Sequence, residues 1–103
     1  IRTVLMLKMI LIAYNESVDQ EIHDLLSSCM VKPNYTKVAG TFGRGSSSGT
    51  HEGTDVWPGR NNLLYVACTA MEAQRIISAV RELRKTLGKD GVKAFLQPLE
   101  EIT

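Results

Sequence analysis

An α+β domain with the element order βαββαβ is predicted for this chain of 103 residues by three observations. Residues 18–29 and 73–87 carry apolar side chains at the three-and-four spacing of amphipathic helices. Short runs rich in Val, Ile, Leu and Tyr precede and follow each of them, as strands do. The length suits a single domain, and a hydrophobic fraction of 44% against 22% charged residues is enough for one core.

The first strand is expected within residues 3–14, a run of Val, Leu, Met and Ile with the single lysine Lys8. Its apolar part is too short and too polar for a membrane span, and no small-x-small cleavage site follows it, so a cytoplasmic location is the expectation. Asn15–Glu16–Ser17 breaks the run, and Ser17 with Gln20 has capping-box spacing. Val18, Ile22, Leu25, Leu26 and Cys29 then form one helical stripe, which Lys32–Pro33–Asn34 ends. On this helix His23 sits between charged residues and reads as solvent-facing. Residues 35–41 and 63–69 read as the second and third strands. Thr69 and Glu72 make a second capping box. Ala73, Ile76, Ile77, Val80, Leu83 and Leu87 continue from it, with Gly88 where a C-cap glycine belongs. A last strand covers residues 92–96, and Pro98 closes it.

Two βαβ halves in this order give the split, ferredoxin-like arrangement, with both helices on one face of a four-stranded antiparallel sheet. The other face is then apolar and bare, which calls for a second copy of the chain to cover it. Cys29 and Cys68 each fall in an apolar pattern and are expected as buried free thiols. Twelve basic and eleven acidic side chains leave a net charge of +1, which disfavours a nucleic-acid partner.

The connection between the second and third strands is far longer than a hairpin needs. This loop, about residues 41–62, lies in a stretch from Gly40 to Asn62 that holds six of the eight glycines, the only tryptophan, Trp57, and Arg44 and Arg60. Glycine-rich backbone and fixed positive charge suit an anion, and a long loop on a small scaffold suits a functional one. The turn Gly88-Lys89-Asp90-Gly91-Val92-Lys93 lacks Walker spacing and alone reads as turn chemistry.

With these residues in view, the chain resembles the nitrogen regulatory protein P-II superfamily, and its P-II-like offshoots in particular. Three features carry the resemblance. The element order is the same, and the long loop falls where the family has its T-loop. Gly40-Thr41-Phe42-Gly43-Arg44-Gly45 is similar to the family's motif at the T-loop base. The turn Gly88 to Lys93 looks like the family's B-loop. The resemblance implies a non-enzymatic signalling homotrimer with ligand sites in the clefts between subunits. There ADP, AMP, ATP or a similar anionic effector would meet Gly43, Arg44 and Gly45 at the T-loop base and Lys89, Gly91 and Lys93 in the B-loop. It implies no required cofactor, and a loop that acts on a protein partner such as a membrane transporter or an enzyme. The departures leave the choice of nucleotide open. Residues 43–61 contain no tyrosine to modify, Gly45 replaces the family's glutamine, and the sequence stops at Thr103, just after Glu100-Glu101, where nitrogen-regulating members continue with arginines.

An alternative from a different class is a metal-binding or metal-responsive trimer using His51, Glu52 and Asp55, an imidazole and two carboxylates within five residues. For catalysis there is no comparable constellation. Ser46, Ser47 and Ser48 have no fixed base near them in sequence, and a fold alone establishes no activity.

Overall fold

The computed structural model describes residues 6–43, 60–87 and 91–103. Strand β1 (Leu7–Asn15) leads into a short 3-10 turn (Glu16–Val18) and helix α1 (Asp19–Cys29). Strands β2 (Thr36–Thr41) and β3 (Asn61–Thr69) follow, then helix α2 (Ala70–Leu87) and strand β4 (Val92–Leu99). The sheet order is β2-β3-β1-β4 with every pairing antiparallel, the ferredoxin-like topology expected from the element order.

Alternation along the two central strands decides where the core lies. Ile10, Ile12 and Tyr14 of β1, and Leu64, Val66 and Cys68 of β3, point to one face and are buried. Ile22, Leu26 and Cys29 of α1 and Ala73, Ile76 and Val80 of α2 close over them, with Val92 of β4. Both helices therefore cover the same face. On the opposite face Leu11 lies level with Tyr65 on one side and Phe95 on the other, and Ala13 level with Leu63. Tyr65 and Phe95 are exposed there. Both cysteines are free and buried, as their apolar settings predicted.

The helix starts differ in kind. Thr69 and Glu72 form the expected reciprocal box: the Glu72 amide donates to Thr69 Oγ1 at 3.2 Å, and the Thr69 amide to Glu72 Oε1 at 2.9 Å. Ser17 and Gln20 do not. Instead Asn15 Oδ1 accepts from the Ser17 amide at 3.0 Å, so an asparagine turn caps the 3-10 segment. Gln20 reaches along the helix to Asp24, 2.9 Å away.

Pro98 does not end β4, which runs on to Leu99 and pairs Pro98 with Lys8. A proline is tolerated there because β4 is an edge strand and needs no donor on its outer side. Strand β3 starts two residues earlier than its apolar run, since Asn61 and Asn62 pair with Asn15 and Tyr14 of β1. Between Val38 and Thr41 the β2–β3 register shifts, and Gly40 in this bulge has φ 72°, a conformation glycine takes at little cost. The C-cap expected at Gly88 lies outside the described residues.

Candidate functional site

The antiparallel register brings four chain segments to one end of the sheet. They are the end of β1, the end of β2, the start of β3 and the start of β4. Thr41 pairs with Asn61, Asn61 with Asn15, and Tyr14 with Val92. Backbone and side-chain hydrogen bonds stitch this rim together. The Asn15 amide donates to the Gly91 carbonyl at 3.2 Å and the Glu16 amide to the Arg60 carbonyl at 2.9 Å. Thr41 Oγ1 donates to the Asn61 carbonyl at 2.9 Å.

Three of the residues expected to bind an anion stand on this rim. Gly43 lies beside Asn61, close enough that a Cβ added to it would be 3.4 Å from Asn61 Nδ2 of the side chain. Gly91 precedes β4, and a Cβ there would come within 3.0 Å of the Leu87 Cβ, so the turn has little room for a larger residue. Lys93 lies level with Ala13 and so on the open face of the sheet. Strands β3 and β1 separate the end of β2 from the start of β4, a span of about 14 Å at ordinary strand spacing. Gly43 and Lys93 thus mark opposite flanks of one rim. Arg44, Gly45 and Lys89 lie outside the described residues, as do His51, Glu52 and Asp55 of the metal alternative. Among the described residues no three His, Cys, Asp or Glu side chains gather as a metal site would require.

Behind the rim is a polar cluster that the sequence reading did not assemble. Asp19, the first residue of α1, places Oδ1 2.6 Å from the Tyr14 hydroxyl, 2.8 Å from Lys37 Nζ and 3.2 Å from Asn62 Nδ2. His23, one turn along, is 3.4 Å from the same oxygen and 3.5 Å from Lys37 Nζ, and its ring meets Tyr35 edge-on at 4.9 Å. His23 is therefore a member of this cluster rather than a lone solvent-facing side chain. Partial burial opposes ionisation of Asp19, but hydrogen bonds from Lys37, Tyr14 and Asn62 outweigh it and hold the carboxyl at about 2. Burial, with Asp19 as acceptor and charge, pushes the Tyr14 phenol far above its ordinary range, so it remains a donor. The signal was present in the alternation: Tyr14 and Asn62 occupy core-facing positions, and polar groups there need partners.

Burial, and secondarily the Glu72 charge, raises the Cys68 thiol, which disfavours its thiolate.

Solved structures share this architecture. A PII-like signalling protein from Thermus thermophilus superposes with a TM-score of 0.65 at 18% identity, over 92% of this chain and 87% of that one. The PII-like protein CPII of Thiomonas intermedia K12, bound to ADP, AMP and acetate, gives a TM-score of 0.71 at 15% identity, over 95% and 90% of the two chains. The GlnK–ATP complex of B. subtilis gives 0.56 at 10% identity, over 91% and 84%. No protein-family model and no curated protein matches the sequence. The likeness to PII-like proteins carried by the sequence motifs is matched by the fold across about nine-tenths of the chain.

Proposed function

We propose that this chain is a PII-like regulatory subunit. It assembles as a homotrimer through the open face of its sheet, and holds an adenine nucleotide or a similar anionic effector between subunits. It transmits the bound state to a protein partner, a transporter or an enzyme, through its long loop, about residues 41–62. It works by binding and carries out no reaction of its own.

The observation that carries this reading is the placement of Gly43, Gly91 and Lys93 on the same rim of the sheet, on opposite flanks. A phosphate-sized anion cannot touch both flanks of one chain. A ligand that uses both sets needs the length of a nucleotide or a second chain. Support also comes from the row Tyr65–Leu11–Phe95, which is apolar and uncovered in one chain. CPII has been solved with ADP and bicarbonate, and GlnK with ATP. Glycine amides in Gly43, Gly45 and Gly91, with Arg44, Lys89 and Lys93, are the groups by which such phosphates would be held. Among the described residues no helix is long and apolar enough to cross a membrane.

A thermal-shift screen against ATP, ADP, AMP, cyclic AMP and divalent metals, in phosphate-free buffer, tests the reading. A ligand at about 100 times its dissociation constant adds roughly 2.7 kcal/mol, several degrees for a domain of this size. The expected result is a shift with an adenine nucleotide that Lys89→Ala and Lys93→Ala remove. Shifts with metals alone, removed by His51→Ala, would transfer the function to the metal alternative. No shift with any nucleotide overturns the nucleotide reading.

A further inference from the structure

The Asp19 cluster joins four elements of the fold through one oxygen atom. Tyr14 comes from β1, Asn62 from β3, Lys37 from β2, and Asp19 and His23 from α1. Two of the contacts are fixed. Tyr14 and Asn62 are almost fully buried and lie level with each other across β1 and β3. The other two are partly exposed: the Lys37 side chain is 30% exposed and that of His23 24%. Lys37 and His23 therefore share the open side of Asp19 Oδ1, with Lys37 holding the shorter contact, 2.8 Å against 3.4 Å.

In its Nδ1–H tautomer the neutral imidazole is compatible with this arrangement, since Nε2, 3.5 Å from the Lys37 ammonium, is then an acceptor. Protonation reverses the relationship. Nε2–H becomes a donor that competes for Asp19, and two cations then stand 3.5 Å apart. The remaining neighbours do not compensate. Tyr35 presents a ring edge to His23 from the segment before β2, and Tyr14 and Asn62 are donors already committed to Asp19. Lys37 is the partner with freedom to leave, because β2 is an edge strand paired only with β3.

We propose that the Asp19 cluster is a proton-operated latch between α1 and β2, in which protonation of His23 displaces Lys37 from Asp19 and releases β2 from the helix layer. The latch belongs to a single chain and does not depend on a nucleotide or on residues 44–59. Its failure would leave the regulatory reading intact, and the reverse also holds.

Amide resonances and amide exchange of β2, followed by NMR from pH 8 to pH 5.5 on the ligand-free protein, test it. The expected result is that amides of Thr36–Thr41 titrate with the same midpoint as the His23 ring protons. Their exchange, corrected for the intrinsic effect of pH, should speed up roughly two- to fivefold, the range that a part-exposed ion pair accounts for. His23→Gln should abolish the titration and keep exchange slow. His23→Arg should give fast exchange already at pH 8, and Lys37→Met fast exchange at every pH. If the β2 amides stay still while the His23 ring titrates, or titrate equally in His23→Gln, the latch is refuted. Should a variant fail to fold, the wild-type titration by itself decides between these outcomes.

Discussion

Tyr14 and Asn62 face each other across β1 and β3, and both donate to the same carboxylate oxygen of Asp19, at 2.6 and 3.2 Å. Both positions point into the apolar core, so the carboxylate at the start of α1 satisfies groups that would otherwise be buried without partners. Helix, central strands and the first residues after the long loop thus depend on one side chain.

Acid should reveal this dependence. The folded-state carboxyl of Asp19 is held at about 2, below its ordinary 3.8. Its ionised form therefore adds stability that is complete above about pH 5 and is lost as the pH falls towards 2. Because the side chain is 35% exposed, solvent screening reduces the contribution to on the order of 1 kcal/mol. Urea titrations between pH 6 and pH 2.5 should show wild type losing most of this increment and Asp19→Asn lacking it throughout.

Tyr14→Phe keeps the ring and removes the donor. A cost of about 1–2 kcal/mol is expected for one hydrogen bond to a charged acceptor. The acid titration should also move to higher pH, because one of the groups that lowers the Asp19 carboxyl is gone. Chemical denaturation with unchanged slope, together with carboxyl NMR, reads both effects.

At the start of α2, Thr69→Ala breaks the reciprocal cap while leaving the β3 pairing in place. It should cost about 1 kcal/mol and lower the melting temperature by roughly 4–8 °C. Ser17→Ala should cost far less, since no bond from its hydroxyl forms the cap, whereas Asn15→Ala should cost about as much as Thr69→Ala.

Leu11→Lys places a charge at the centre of the open face, between Tyr65 and Phe95, and leaves the helix-covered core untouched. Sedimentation should find wild type as a trimer and this variant as a monomer with the same far-ultraviolet spectrum. A variant that remains trimeric would move the assembly surface elsewhere.

Period and spacing made the scaffold readable. The α2 stripe, the Thr69–Glu72 box and the apolar runs of the two central strands are local patterns; the stripe and the box appear as expected, while β1 ends and β3 begins one and two residues beyond their apolar runs, and residues 3–5 lie outside the described residues. What escaped was set by contacts distant in sequence. Pro98 can stay in a strand only because β4 lies at an edge, and edge position is a property of the sheet. Asn15 outcompetes Ser17 as cap because the strand delivers its side chain to the turn. Asp19 meets Asn62 over 43 positions of sequence, a pairing no local spacing announces. Gly43, Gly91 and Lys93 were legible as binding candidates through their motifs, while their arrangement on one rim required the register.

The pairing of Thr41 with Asn61 has a consequence for how such a protein can be altered, by evolution or by design. The chain is already drawn together at that point by a hydroxyl-to-carbonyl bond and by the sheet ladder. Whatever lies between is tethered at a closed neck, and doubling its length adds only about 0.6 kcal/mol of closure entropy. Lengthening the connection between Thr41 and Asn61 should therefore cost the sheet beneath it little, because the neck that fixes the two ends is already closed.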